Sequence, residues 1–443
     1  MQDTIAAIST PFGEGAIAVL RISGPASLKI ASNCFRGSIA VCSMCPRRQY
    51  LGQFVDEAEN LIDDVLLTVF RSPASYTGED LVEIGCHGGI LVTRRVLQRL
   101  LSSGARSAEP GEFTQRAFLN GKMDLTQAEA VMDLITAQTD LALRAANEQL
   151  EGRLGNKIRE CREQLLNILA HVEAYIDFPE EDIDPETGKE LMATLEQVEG
   201  TAKRLLGTAE QGRILREGVR TVIYGEPNVG KSSLLNLLLG FERAIVSEIP
   251  GTTRDTIEEV INLKGIPLRL IDTAGLRESE DEIEKAGMER TRRHIENADL
   301  VVHLVDCTKC RSEAGEKRVD ELLVLNKSDL GEHASWSGVE GVRLSCRDET
   351  GLDALADEIF IRVMGETRFS GDASIAINAR HKVCLQSAVR FCAAAREAMC
   401  EGLSAEFIAI EVREALDAIG DVVGHADTEE LLGKIFSTFC IGK

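Results

Sequence analysis

Gly225-Glu226-Pro227-Asn228-Val229-Gly230-Lys231-Ser232 follows the apolar run Thr221-Val222-Ile223-Tyr224 and opens into Ser233-Leu234-Leu235-Asn236-Leu237-Leu238-Leu239. An octet G-x-x-x-x-G-K-[ST] at a strand-to-helix junction reads as a phosphate-binding loop. Its glycines let consecutive N–H groups and the helix N-terminus point at phosphate oxygens, while Lys231 adds a positive charge and Ser232 a hydroxyl for Mg²⁺. Asn228, Val229, Gly230, Lys231, Ser232 and Ser233 are therefore expected to contact the nucleotide, with Lys231 also serving hydrolysis. The competing reading is a chance glycine turn. It has little weight, because three further elements follow at workable positions.

Gly251-Thr252-Thr253-Arg254-Asp255 comes after the apolar Ala244-Ile245-Val246 and offers threonines to Mg²⁺ and the γ-phosphate. Leu270-Ile271-Asp272-Thr273-Ala274-Gly275 is a strand ending in Asp-x-x-Gly, which brings a carboxylate to the metal's water shell and a glycine N–H to the γ-phosphate. In Leu323-Val324-Leu325-Asn326-Lys327-Ser328-Asp329, the Asp329 carboxylate can accept from the two donors on guanine's edge, a pair adenine lacks. Ser345-Cys346-Arg347 is the expected last base-contacting loop. In this order the elements predict a GTPase. Leu276 stands where Ras carries its water-orienting glutamine, and an apolar side chain cannot orient water. The acidic stretch Arg277 to Glu284 offers several carboxylates for that task, although most of them read equally well as a solvated helix start.

The 443 residues exceed one ordinary core and imply two or three domains. With 44% hydrophobic and 27% charged residues the composition is that of a globular protein. There is no apolar run of about eighteen residues, nor a basic stretch leading into an apolar one at the start, so the expectation is a cytoplasmic protein without a membrane partner. A net charge of −23 argues against broad polyanion binding, so a nucleic-acid partner needs a local basic patch or a second protein. Cys42-x-x-Cys45 and Cys307-x-x-Cys310 could together supply zinc ligands, but they lie far apart and no histidine joins them at finger spacing. Reduced structural thiols are the expectation.

Residues 1 to about 119 read as mixed α/β, with strand-like runs at Thr4 to Ser9, Ala16 to Ile22, Val65 to Phe70 and Asp80 to Ile84, then a helix from Gly88 to Leu101. From Leu125 to Ile176 apolar residues recur at helical spacing, which predicts one long amphipathic helix with Gly152 and Gly155 as candidate breaks. An acidic, proline-bounded connector at Phe178 to Pro185 precedes another helix, Glu190 to Leu215. Helices resume after the nucleotide elements at Asn378 to Met399, Glu406 to Val422 and Thr428 to Phe439. Helices on both sides of a compact α/β unit suggest an insertion, since domain termini often lie close together.

Three further stretches carry a resemblance. They are Ala16-Ile17-Ala18-Val19-Leu20-Arg21-Ile22-Ser23-Gly24, the run from Pro110-Gly111-Glu112-Phe113-Thr114 to Gly121-Lys122, and Phe439-Cys440-Ile441-Gly442-Lys443. With the GTPase motifs, they make the chain resemble the MnmE family, also called TrmE, over nearly its whole length. The resemblance implies a multidomain α/β plus all-α fold: an N-terminal α/β folate-binding and dimerisation domain at 1–119, a discontinuous helical domain at 120–216 and 367–443, and an inserted Ras-like P-loop GTPase domain at 217–366. It implies a homodimer that works with the FAD protein MnmG, in a heterotetramer or larger complex, to place a carboxymethylaminomethyl-type group on C5 of a tRNA wobble uridine. The one-carbon unit would come from 5-formyltetrahydrofolate or another tetrahydrofolate derivative, held by Arg21, Glu83, Lys122 and Lys443. The resemblance further implies K⁺ in place of an arginine finger, with Asn228, Ser247, Ile249 and Thr252 around it, Ser232 and Thr253 on Mg²⁺, and Glu284 orienting water. Two departures stand out. The span from Asp306 to Asn326 is short for a strand, helix and strand, and Cys440 reads either as a reactive thiol or, the favoured reading, as a buried structural anchor.

The rival from another class is a regulatory switch GTPase of the ribosome-assembly type, acting through partner binding. The folate-domain signature and the Cys-Ile-Gly-Lys terminus weigh against it, because a plain switch has no use for either. A folate enzyme with a vestigial nucleotide site is weakened by the intact Lys231, Asp272 and Asp329.

Overall fold

The computed structural model of the chain describes residues 3–177, 185–241, 259–271, 295–311, 321–365, 375–424 and 429–443. Two compact units divide it: Met1–Met132, Leu154–Arg162 and Leu416–Lys443 form one, and Asp133–Arg153 with Glu163–Ala415 the other. The fold is multidomain α/β plus all-α. No described helix is long and apolar enough to cross a membrane.

In the first unit, β1 (Ile5–Ile8), β2 (Ile17–Ser23), β3 (Phe35–Gly37), β4 (Gln49–Val55), β5 (Leu61–Phe70), β6 (Leu81–His87) and β7 (Arg106–Ser107) form a sheet in the order β3-β4-β5-β6-β2-β1-β7. Its strands alternate as the pleat requires. Leu20, Ile22, Val65, Leu67, Val82 and Ile84 are buried with Ile30, Val96 and Leu100 of the helices α1 (Ser27–Cys34) and α2 (Ile90–Ser102). The other face carries Val19 and Arg21, and beside them Glu83 and Gly85. Sequence reading missed α1, β3 and β4, which lie in short segments broken by glycine and polar residues. A third helix, α3 (Glu112–Leu119), ends this part of the chain.

The long helix expected from Leu125 to Ile176 is three: α4 (Leu125–Thr136), α5 (Asp140–Leu150) and α6 (Arg153–Asp177). One break lies where the periodicity gave no sign of it. Thr139 adopts an extended conformation and its hydroxyl accepts from the Ala142 N–H, a helix start written as Thr-Asp in the sequence. The second break is at Gly152, with φ +84°. Gly155 lies inside α6 instead, because a Cβ there would come within 2.2 Å of the Asp124 carboxylate. The helix expected at Glu190 to Leu215 is α7 (Pro185–Gly207) and α8 (Ala209–Glu217), parted at Thr208. The acidic connector falls mostly at 178–184, outside the described residues.

The nucleotide-binding elements form a second sheet from β8 (Val219–Tyr224), β9 (Glu259–Leu263), β10 (Ile266–Leu270), β11 (Leu300–Asp306), β12 (Glu321–Asn326) and β13 (Val342–Arg343), in the order β13-β12-β11-β8-β10-β9. All neighbours are parallel except the β9–β10 hairpin. The parallel strands are continuous apolar runs, as burial on both faces demands, and they share one core with Leu234, Leu235 and Leu238 of α9 (Lys231–Phe241) and Leu355 and Ile359 of α10 (Leu352–Met364). After β8 the chain leaves for β10 on one side and for β11 on the other. That makes the carboxyl end of β8 the switch point at which open α/β sheets bind ligands.

Helices from before and after this sheet meet, as an insertion requires. Arg396 of α11 (Ala379–Glu401) pairs at 3.3 Å with Glu199 of α7, and Arg413 of α12 (Ala405–Val423) pairs with Glu173 of α6. The last helix, α13 (Glu429–Phe436), stops short of the expected Phe439, and the chain continues through turns to Lys443 with a bridge from Ile441 to Pro110.

Candidate functional site

At the end of β8 the backbone turns through Asn228 at φ +64° and Gly230 at φ +103° before α9 begins. A Cβ at Gly230 would stand 2.4 Å from the Asn326 amide nitrogen, so the loop packs on the guanine-reading segment only because this residue is glycine. Lys231 Nζ donates to the carbonyls of Gly225 and Glu226, both at 2.9 Å, and holds the loop folded. Burial lowers its pKa below the ordinary lysine value. An arriving phosphate favours the charged form, and the ammonium can exchange its carbonyls for phosphate oxygens. Val229 is buried, while Ser232 and Ser233 stand exposed at the first turn of α9, where a helix N-terminus favours an anion.

The second half of the site comes from the ends of β11, β12 and β13. Asn326 Nδ2 donates to the Val229 carbonyl at 2.7 Å, and its Oδ1 accepts from the Cys346 N–H at 3.1 Å, so one amide side chain fastens the phosphate loop to the last base-contacting loop. Lys327, itself at φ +66°, donates to the Asn228 carbonyl at 3.0 Å and to the Asp306 carboxylate at 2.7 Å. Ser328 donates through its N–H to the Leu344 carbonyl, and Asp329 projects exposed from the short turn that follows. Ser345 is buried, Cys346 half-buried with its thiol pushed up to about 11 by burial, and Arg347 exposed. The expected base-contacting residues Asn326, Lys327, Ser328, Asp329, Ser345, Cys346 and Arg347 thus gather around the carboxyl end of β12, against the phosphate loop.

Asp306 was not among the expected residues. Burial alone would raise its pKa, but hydrogen bonds from Lys327 and from the Thr308 hydroxyl and N–H outweigh it and hold the carboxyl below the usual aspartate value. A carboxylate closing the apolar run Leu300 to Val305 was the available signal, the same signal that marks Asp272. The Ile271 N–H donates to the Thr221 carbonyl at 3.0 Å and delivers the chain to Asp272. Asp272, Thr273, Ala274, Gly275, Leu276 and Glu284 lie outside the described residues, as do Ser247, Ile249, Thr252 and Thr253. So does 312–320, within the short span after Asp306. Of the expected Mg²⁺ and K⁺ ligands, Ser232 and Asn228 fall within the described residues, both on the phosphate loop, and both can offer an oxygen.

A second cluster lies in the first unit. Arg21 and Glu83 face each other across β2 and β6, with Nε donating to Oε1 at 2.8 Å. The tail brings in Lys443. Phe113 N–H donates to the Lys443 carbonyl at 3.1 Å, Pro110 bridges to Ile441, and the Ser9 hydroxyl donates to the Gly442 carbonyl at 3.2 Å. Two of the stretches that carry the resemblance are therefore bonded to each other. Burial and the nearby Arg21 guanidinium lower the Lys443 pKa, with Cys440 and Glu83 opposing. Lys122 donates to the Pro73 carbonyl at 3.0 Å, on the turn that carries Tyr76. Tyr76 was missed. It is one of only four tyrosines, and its ring lies under Arg21, 5.4 Å from the guanidinium carbon.

The favoured reading of Cys440 as a buried anchor is corrected. Cys440 is exposed, and Phe436 and Phe439, whose rings lie 5.3 Å apart and tilted by 53°, are the buried groups that seat the tail. The cysteines are free thiols, of which Cys42, Cys45 and Cys310 are exposed and Cys307 is buried, and among the described residues no group of three or more His, Cys, Asp or Glu is placed to hold a metal ion.

The family model described as the MnmE helical domain matches residues 125–440, and the one described as the GTP-binding protein TrmE N-terminus matches residues 4–122. A tRNA modification GTPase MnmE of Akkermansia muciniphila is 52% identical over 449 residues, covering 100% of this chain and 99% of its own. Proteins of the same name from Natranaerobius thermophilus and Carboxydothermus hydrogenoformans are 46% and 44% identical, with 100% of both chains covered in each case.

Proposed function

The chain belongs to the MnmE (TrmE) family of tRNA modification GTPases, and from that premise we propose that its GTP hydrolysis is K⁺-stimulated and coupled to building a carboxymethylaminomethyl-type group on C5 of a tRNA wobble uridine. The work is shared with the FAD protein MnmG, and a tetrahydrofolate one-carbon unit supplies the carbon. One observation carries the folate half of this reading: the tail is hydrogen-bonded into the first unit so that Lys443 joins Arg21 and Glu83. Two cations suit the carboxylates of a folate tail and a carboxylate suits the donor edge of a pterin. A switch acting only by partner binding has no use for such a cluster.

For hydrolysis, Lys231 and the N–H groups of the phosphate loop hold the β- and γ-phosphates. Ser232 and Thr253 would hold Mg²⁺, which would supply positive charge against the charge that develops on the phosphate. Asn228, with Ser247, Ile249 and Thr252, would hold K⁺, which would supply the positive charge that other GTPases take from an arginine. Glu284 orients the attacking water in place of the side chain that Leu276 cannot supply.

Exposed apolar residues on one sheet face of the first unit support the homodimer. Leu51 and Leu66 are cross-strand partners on β4 and β5, and with Ile17 on β2 they are 70%, 40% and 69% exposed. A second copy covering that face removes an apolar surface of the kind that monomers rarely keep.

The test is reconstitution: this protein with MnmG, GTP, 5-formyltetrahydrofolate and undermodified tRNA, followed by nucleoside mass spectrometry. A new C5-modified uridine that requires all four is expected. GTP turnover with no modified nucleoside in the complete mixture refutes the coupling.

A further inference from the structure

We infer that Tyr76 is the positioning residue of the Arg21–Glu83–Lys443 cluster: its ring sets the plane in which the Arg21 guanidinium offers its two free amino groups to an anionic, folate-type ligand. The inference rests on the folate reading of this cluster and adds the residue that orients it.

Arg21 uses Nε on Glu83 at 2.8 Å, and among the described residues its two Nη groups donate to no other group. A single hydrogen bond at Nε leaves the guanidinium free to pivot about it. The second contact that fixes a plane is the Tyr76 ring, with its centroid 5.4 Å from Cζ, within cation–π range. Together the carboxylate on one edge and the ring on one face leave the Nη edge as the part that can fork onto a carboxylate.

The ring is itself held firmly enough to do this. Its hydroxyl is hydrogen-bonded to Thr114 Oγ1 at 2.9 Å on α3, and its body packs on Ile5, Ala7, Ala108 and Phe113. The turn below it is tied at several points: Ser23 Oγ meets Thr77 Oγ1 at 2.7 Å and Glu79 at 2.8 Å, and Asn120 Nδ2 donates to the Thr77 carbonyl at 2.7 Å. Thr114 is the neighbour of Phe113, whose N–H holds the Lys443 carbonyl. Tyr76 therefore touches both arms of the cluster, the strand that carries Arg21 and the helix on which the tail is seated.

The test replaces Tyr76 in the full-length chain by phenylalanine and, by genetic code expansion, by 3,4,5-trifluorophenylalanine, and titrates each protein with 5-formyltetrahydrofolate in a calorimeter. The two rings fill the same space, so packing is kept while fluorine withdraws the negative face that attracts the cation. The phenylalanine protein is expected to bind within about 3-fold of wild type and the trifluoro protein roughly 5- to 10-fold more weakly than the phenylalanine one. In an Arg21→Ala background the step from phenylalanine to its trifluoro form should have no effect. Equal affinity of the two ring variants with Arg21 intact overturns the inference, because a merely structural role would give that result. Arg21→Ala alone and removal of Lys443 alone separate the two levels. If both bind like wild type, the folate reading falls and this inference with it. If both lose affinity while the fluorinated ring binds normally, only the role of Tyr76 falls.

Discussion

One ammonium, that of Lys327, serves two loops, and the carboxylate of Asp306 keeps it there. Asp306→Asn removes the charge of a nearly buried acceptor, and hydrogen bonds to charged groups are worth about 1.5–3 kcal/mol. GTP affinity should fall by roughly 10-fold or more, read by titration with a fluorescent GTP analogue; an unchanged affinity would show that Lys327 holds its place without help. Asp329→Asn tests a different property of the same site. The amide loses charge-assisted acceptance from guanine and presents donors of its own, so xanthosine triphosphate should bind this variant better than GTP does. At Lys443 the sign of the pH dependence follows from burial. The lowered pKa means the free protein gives up this proton at a lower pH than an ordinary lysine, and a bound carboxylate favours the protonated form. Folate affinity should therefore be full below that lowered value and decline as pH rises through it, earlier than an exposed lysine would allow; in a protein with Lys443→Arg the decline should vanish. Lys327 and Asp329 were legible in the sequence because they stand in a short contiguous motif, whereas Lys443 was legible only through the family resemblance. Asp306 and Tyr76 were not, since each acts through a partner distant in sequence, and only the fold brings Tyr76 under Arg21.

At the scale of elements, strands and caps decided what could be read. The apolar runs of β8, β11 and β12 gave their positions because strands buried on both faces leave no other pattern. Periodicity alone merged α4, α5 and α6, because an interrupted amphipathic stripe keeps its phase across a tight turn. The Thr139 cap was the overlooked sign, and Gly155 misled because a glycine inside a helix can mark close packing as well as a break. The tail offers the sharpest test at this scale. Gly442 has φ +92°, and a Cβ there would stand 2.4 Å from the Ile8 carbonyl oxygen. Gly442→Ala must both strain the backbone and push the tail off β1. Affinity for 5-formyltetrahydrofolate should drop about as far as on removing Lys443, with GTP hydrolysis nearly intact; normal folate binding would mean that Lys443 does not depend on this seat.

For the molecule as a whole, two ligands report on two units. A ligand present at a hundredfold excess over its dissociation constant stabilises the unit that binds it by about 2.7 kcal/mol. GDP should therefore raise the melting transition of the unit containing Lys231, and 5-formyltetrahydrofolate that of the unit containing Arg21, in differential scanning calorimetry. Movement of the same transition by both ligands would place them in one cooperative body. Hydrolysis should be faster in K⁺ than in Na⁺ at equal ionic strength, since Na⁺ is too small to satisfy the same oxygens, and Glu284→Ala should cut it by roughly 10²-fold while GTP still binds. A wild type indifferent to the cation would point to an arginine from another protein. The tail has one more consequence, in time. Ser9 and Gly442, which are hydrogen-bonded, lie 433 residues apart, and a ribosome adding about 5–20 residues per second takes roughly 20 to 90 s to make the second after the first. Ser9 and the strand that carries Arg21 thus emerge long before the segment that brings Lys443 to them, and the proposed folate site stays incomplete in the nascent chain until synthesis has run through the GTPase elements.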